Sequence, residues 1–166
     1  MRFAYADPPY IGQGSRYEHD KEVNHGLLVD WLCRDFDAWA LSCSTPTLKT
    51  ILNLCPDDVR VCAWVKPFCA FKVNVNPAYA WEPGIAWHPR KKQRYEPTVR
   101  DWVAEGITLK RGFCGAKPER FCFWLFDLLG MTPDDEFVDV FPGSGAVSRA
   151  WDIWRADNTR LLEVPA

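Results

Sequence analysis

The sequence predicts an α/β fold, a mostly parallel sheet of about six strands with helices on both faces, and two kinds of observation predict it. Short apolar runs rich in aromatic and β-branched residues recur from end to end, and helical patterns with recognisable caps separate them. Length sets the scale. At 166 residues and 48% hydrophobic content, the chain is long enough for one well-buried core and short for two, so a single domain spanning 1–166 is expected.

The strands are expected near Arg2 to Ala6, Ala38 to Ser42, Arg60 to Val65, Gly84 to His88, Glu136 to Phe141 and Arg160 to Val164. Between the first two, Asn24 can cap a helix carrying Leu27, Leu28, Trp31, Leu32 and Phe36. Thr45 and Pro46 open another that carries Leu48, Ile51 and Leu52 and stops before Pro56. Pro118 starts a later helix that Gly130 can end. The stretch Ile11 to Val23 has no clear period and reads as a mobile loop after the first strand, where functional loops of α/β sheets sit. A second irregular stretch, Pro89 to Ala116, follows the fourth strand.

Composition narrows the function classes. No run approaches the twenty apolar residues of a membrane span, and MRFAYADPPY has no charged and then apolar leader pattern, so a cytoplasmic location and no membrane partner are expected. The seven cysteines contain no C-x-x-C pair and fall mostly in apolar segments, which suits buried thiols. None of the three histidines lies near a cysteine pair, so no metal is expected. A net charge of -2 hides an asymmetry: Arg90 to Arg111 holds seven basic and three acidic residues, led by Arg90, Lys91, Lys92 and Arg94. Such a run is ordinarily a solvated face, and it points to an anionic polymer only if other motifs do.

Two motifs carry chemistry. DPPY, at Asp7, Pro8, Pro9 and Tyr10, follows the strand-like RFAYA. An exocyclic base amine is a poor nucleophile because its lone pair is delocalised into the ring. Two acceptors on its N–H bonds would draw that pair out of conjugation. The Asp7 carboxylate and the Pro8 carbonyl can supply them, the prolines remove competing N–H donors, and Tyr10 can stack on the base. The second motif, DVFPGSG from Asp139 to Gly145, lies between a strand and a helical pattern. Glycines there let the backbone approach a ligand, and the helix start offers free N–H groups. No G-K-[ST] follows, which disfavours phosphate. About twenty residues later Glu163 ends the run RLLEV, the usual place of a ribose-binding acid. Lys66, closing the third strand, can point to the pocket, and Trp81 and Trp87, flanking the fourth, are candidate stacking residues.

With DPPY, GAKPERFCFWLFDLLG, DVFPGSG and Glu163 in that order, the chain resembles the amino-methyltransferases of the permuted class β, over nearly its whole length. The resemblance implies a Rossmann-like methyltransferase fold with permuted motif order, using S-adenosyl-L-methionine. It implies that Asp7 and Tyr10 face the base and that Asp139, Phe141, Pro142, Gly143, Ser144 and Gly145 hold the methionine part of the cofactor. Lys117 and Pro118 would line the same pocket, and Glu163 would bind the ribose. Asp at the first catalytic position favours N6 of adenine in DNA, and the basic run would then hold phosphates as part of a short target-recognition segment at 89–116. Adenine in RNA, cytosine N4 and a catalytically silent nucleic-acid-binding partner subunit stay open as alternatives. Only three residues follow Glu163, which leaves the family's next strand without sequence, and the recognition segment is short. A homodimer or a partner subunit is therefore expected.

Overall fold

The computed structural model describes residues 1–14, 22–67, 73–107 and 116–162, the side chains of 161 and 162 excepted. Its architecture follows from β1 (Arg2–Ala6), in which every residue after Arg2 is buried. Successive side chains of a strand point to opposite faces. Phe3 and Tyr5 accordingly enter one apolar cluster, while Ala4 and Ala6 enter another. A strand buried on both sides belongs inside a sheet covered on both sides.

Parallel neighbours flank it. β2 (Ala38–Ser42) pairs Phe3 with Ala38, and β6 (Glu136–Asp139) pairs Tyr5 with Asp139. With β3 (Arg60–Val65), β4 (Trp81–Trp87) and β5 (Trp102–Ala104), the sheet order is β5-β3-β4-β2-β1-β6. β4 alone runs against its neighbours, and the other five strands share one direction. The mostly parallel six-stranded sheet expected from the sequence is thus found.

Helices cover both faces. Leu28, Val29 and Leu32 of α1 (His25–Asp35) and Ile51 of α2 (Leu48–Leu52) pack against Ala4, Trp39 and Leu41. The Asn24 side chain caps α1 by accepting from the Leu27 amide at 3.1 Å. A 3-10 turn at Thr45–Thr47 precedes α2, with Pro46 inside it. On the opposite face, α3 (Glu119–Leu129) and α4 (Ala146–Leu162) bury Phe121, Phe126, Trp151 and Trp154 against Phe3, Tyr5 and Trp64. α3 begins after Pro118 and ends at Gly130, whose φ of 69° is the left-handed conformation that glycine adopts without a Cβ clash.

Three expectations need correction. The strand expected at Arg160 to Val164 is not formed by its first residues: α4 continues through Leu162, and residues 163–166 lie outside the described set. Val147, Ala150, Trp151 and Trp154 recur at helical spacing, and that buried stripe outweighs the strand-like look of RLLEV. The stretch from Pro89 to Ala116 is not wholly irregular, because β5 lies within it and pairs with β3. The fourth strand begins at Trp81 rather than Gly84, carrying Pro83 and Gly84 within it. Of the loop Ile11 to Val23, residues 15–21 lie outside the described set.

Candidate active site

β1 and β6 are neighbours whose chains leave in opposite directions. After β1 the chain goes on to α1 on one face, and after β6 it enters α4 on the other. A crevice outside the carboxyl ends of two such strands is where open α/β sheets bind ligands. Asp7 to Tyr10 and Phe141 to Gly145 both emerge there, from strands about 4.8 Å apart.

On the β1 side, Pro8 is fully buried and anchors the turn. Asp7 Oδ1 lies 3.2 Å from the Lys117 ammonium and accepts from the Tyr10 hydroxyl at 3.4 Å. Oδ2 of Asp7 and the Pro8 carbonyl accept no hydrogen bond among the described residues. Lys117, just ahead of α3, is buried and also donates to Glu82 at the start of β4. Glu82 in turn accepts from Lys66, at the end of β3, at 2.9 Å. Both ammonium groups lie near the Trp64 ring, at 5.2 Å for Lys117 and 4.4 Å for Lys66. Reversal of β4 is what brings Glu82 here, since the strand's start lies at the carboxyl ends of its neighbours.

Charge settles unevenly across this cluster. Burial lifts the Asp7 carboxyl above its ordinary pKa, with Lys117 opposing and Glu82 adding to the rise. Burial acts the same way on Glu82, but the ammonium groups of Lys117 and Lys66 outweigh it and hold the pKa down to about 2. Lys117 stays a cation: burial opposes the charge, and Asp7, Tyr5, Tyr10 and Glu82 more than restore it. Burial chiefly raises the Tyr10 hydroxyl, which stays a donor.

On the β6 side, the Asp139 carboxyl is raised by burial, and Ser148 donates to Oδ2 at 3.0 Å. Oδ1 is buried without a partner among the described residues. Such an orphan is unusual in a native chain and suits a ligand that brings its own donor. Gly143 and Gly145 take φ of 45° and 69°, and the Gly145 amide donates to Pro142 O at 2.6 Å, folding the loop tightly ahead of α4. A side chain at Gly145 would meet the Arg149 guanidinium, which itself donates to Ser144 O at 2.8 Å.

Asp7, Pro8, Tyr10, Lys117 and the loop from Asp139 to Gly145 are therefore brought together, and Lys66 joins them. Glu82 was missed, its only sequence signal being a lone acid beside Pro83 in an apolar strand. Lys110 and Arg111 of the basic run fall outside the described residues, and its leading part lies elsewhere. It follows the far end of β4, and Arg90 is held by Asp135 at 2.6 Å, by Gly130 O at 3.1 Å and over the Phe3 ring. Lys91, Lys92 and Arg94 are exposed at that far end. Trp87 stacks between Trp39 and His88, and its indole N–H donates to Asp58 at 3.0 Å; Trp81 is partly exposed near the site. Glu163 lies outside the described residues.

No family model matches the sequence, and no curated protein matches it. Among solved structures, the chain is similar to the crystal structure of an M1.HpyAVI–SAM complex, with a TM-score of 0.66 at 14% identity, covering 93% of this chain and 78% of that one. The crystal structure of M1.HpyAVI matches with a TM-score of 0.61 at 16% identity, covering 93% of this chain and 77% of that one. The likeness shows the fold: a Rossmann-like methyltransferase sheet, mostly parallel, with helices on both faces.

Proposed function

We propose that this chain is an S-adenosyl-L-methionine-dependent methyltransferase that methylates N6 of adenine in DNA. The observation that carries the reading is the parallel register of Tyr5 with Asp139, which sets the DPPY turn and the glycine loop side by side. The similar fold of an M1.HpyAVI–SAM complex supports the choice of cofactor. Because the DPPY strand precedes the glycine-loop strand in the chain, the motif order is the permuted one of class β.

The residues present fit the cofactor, since Asp139 Oδ1 awaits a donor and the loop leaves open backbone beside it at Gly143. Asp139, Phe141, Pro142, Gly143, Ser144 and Gly145 would hold it, with Lys117 and Pro118 closing the pocket from the α3 side. When bound, the sulfonium supplies an electrophilic methyl group. The chain supplies acceptors and position: Asp7 Oδ2 and the Pro8 carbonyl take the two amine N–H bonds, and Tyr10 stacks on the ring. A duplex base must be flipped to reach them, at a cost of about a few kcal/mol. Glu163 keeps a proposed ribose contact, although the strand that argued for it is replaced by helix up to Leu162.

Lys91, Lys92 and Arg94 would hold phosphate, whereas Arg90 is occupied by Asp135. They stand one strand length, about 20 Å, from Asp7's end of the sheet. β6 is also an edge strand among the described residues. Exposed edges are usually covered, and a homodimer would cover this one and lend one subunit's basic stretch to the other's pocket. Incubation with labelled cofactor and DNA, RNA or neither, followed by nucleoside analysis, tests the reading. Label in N6-methyladenine from DNA is expected. Label confined to RNA or to N4-methylcytosine would reassign the substrate, and none anywhere would leave a silent partner subunit.

A further inference from the structure

Asp7 is not paired with a lysine of its own. Lys117 serves two carboxylates, and its contact with Glu82 is the shorter of the two. Glu82 uses its two oxygens on two different cations, Oε1 for Lys117 and Oε2 for Lys66 at 2.9 Å. Four charges therefore alternate through a largely buried site, with side-chain exposures of 24% for Asp7, 4% for Lys117, 13% for Glu82 and 20% for Lys66. Low dielectric makes each neighbour felt strongly.

For an acceptor of amine N–H bonds, a tightly engaged lysine is a handicap, because it draws off the electron density that the substrate needs. Resting on the methyltransferase reading, we propose that Glu82 is a positioning residue that holds the Lys117 ammonium back from Asp7 and so leaves the Asp7 carboxylate a strong acceptor. Lys66 limits the pull by taking the other oxygen of Glu82. Among the described residues, the charged and titratable groups facing Asp7 are Lys117 ahead of α3, Glu82 on β4, Tyr5 on β1 and Tyr10 in its own turn, with Lys66 after β3 joined through Glu82. Of these, Glu82 raises the Asp7 pKa and Lys117 lowers it, the directions the proposal needs.

Opposite signs test it. In Glu82→Gln the Lys117 charge falls on Asp7 alone, so the Asp7 pKa drops and the acid limb of the kcat profile moves to lower pH. The kcat on the plateau falls roughly tenfold, the equivalent of one pKa unit of acceptor strength. In Lys66→Met, Glu82 draws Lys117 harder, and both the Asp7 pKa and the acid limb move up. Glu82→Asp restores part of the wild-type profile and stands in if Glu82→Gln fails to fold. Carbon-13 NMR titration of labelled aspartate carboxyls, with Asp7→Asn identifying the signal, reads the pKa without any turnover. It therefore judges Glu82 even if the wild type transfers no methyl group, a result that would sink the functional reading instead. An unmoved Asp7 pKa in Glu82→Gln, or shifts of the same sign in both variants, would overturn the proposal.

Discussion

The Ser148 hydroxyl reaches back from the first turns of α4 to Asp139 Oδ2 at 3.0 Å, and so leaves Oδ1 of the same carboxylate buried and unmatched among the described residues. An unsatisfied buried acceptor costs stability and is kept where a ligand completes it. In Asp139→Ala, the affinity for S-adenosyl-L-methionine should fall by the worth of a hydrogen bond to a charged group, roughly 1.5–3 kcal/mol. The melting temperature of the ligand-free protein should hold or rise. Calorimetry on the same sample reads both, and unchanged cofactor affinity would remove Asp139 from the pocket.

On the proposed reading, in which the carboxylate acts on the base amine in the transition state, Asp7→Ala should abolish methyl transfer while changing cofactor affinity far less. Turnover at the wild-type rate would refute the site assignment. Single-turnover assays beside equilibrium binding separate the two effects.

Asp135 ties the N-terminus, Arg90 and Thr132 together where β6 begins. Burial opposes its ionisation, but the hydrogen bonds from Arg90, the N-terminal ammonium and Thr132 outweigh it and hold its pKa down to about 2. A carboxyl depressed on folding contributes stability above its unfolded pKa of about 4 and loses it as pH falls toward 2. That contribution is roughly 2 kcal/mol. Denaturant melts between pH 6 and 2, as assay conditions, should show the loss, and Arg90→Ala should lower stability at neutral pH by roughly 1–3 kcal/mol while flattening the acid dependence.

Replacing Lys91, Lys92 and Arg94 with alanine should leave that melt unchanged, since all three side chains are exposed. Nucleic-acid affinity should weaken and its salt slope flatten by about 0.9 for each lost duplex phosphate contact. A slope equal to that of the wild type would mark the run as a solvated face.

If two copies share their sites, light scattering over a concentration range should show a dimeric mass that grows with added oligonucleotide. A monomeric mass throughout, with full activity at nanomolar enzyme, would reject the dimer.

Much of this was legible in the residues alone. DPPY and DVFPGSG could be placed at strand ends because proline and glycine mark turns by sterics, and Asn24 and Gly130 marked helix ends for the same local reason. What escaped depends on non-local pairing. Glu82 lies beside Pro83 and Gly84, which depress any strand reading, yet β4 is held by neighbours on both sides. The three residues of β5 are too few to show a period. At Arg160 to Leu162 the error ran the other way: strand-like composition gave way to a helix whose buried face had been set about two turns earlier by Trp151 and Trp154. Arg90 looked like one of four equivalent cations, and only the fold pairs it with Asp135, 45 residues downstream.

Running against its neighbours, β4 delivers Glu82 by its opening residues, whereas Asp7 hangs from the closing end of β1. The two acids thus have separate tethers. Glu82 is held through β4 by β2 and β3, and Asp7 through β1 by β2 and β6, so a shift at the start of β4 moves the charge beside Lys117 along a route that does not pass through the Asp7 turn.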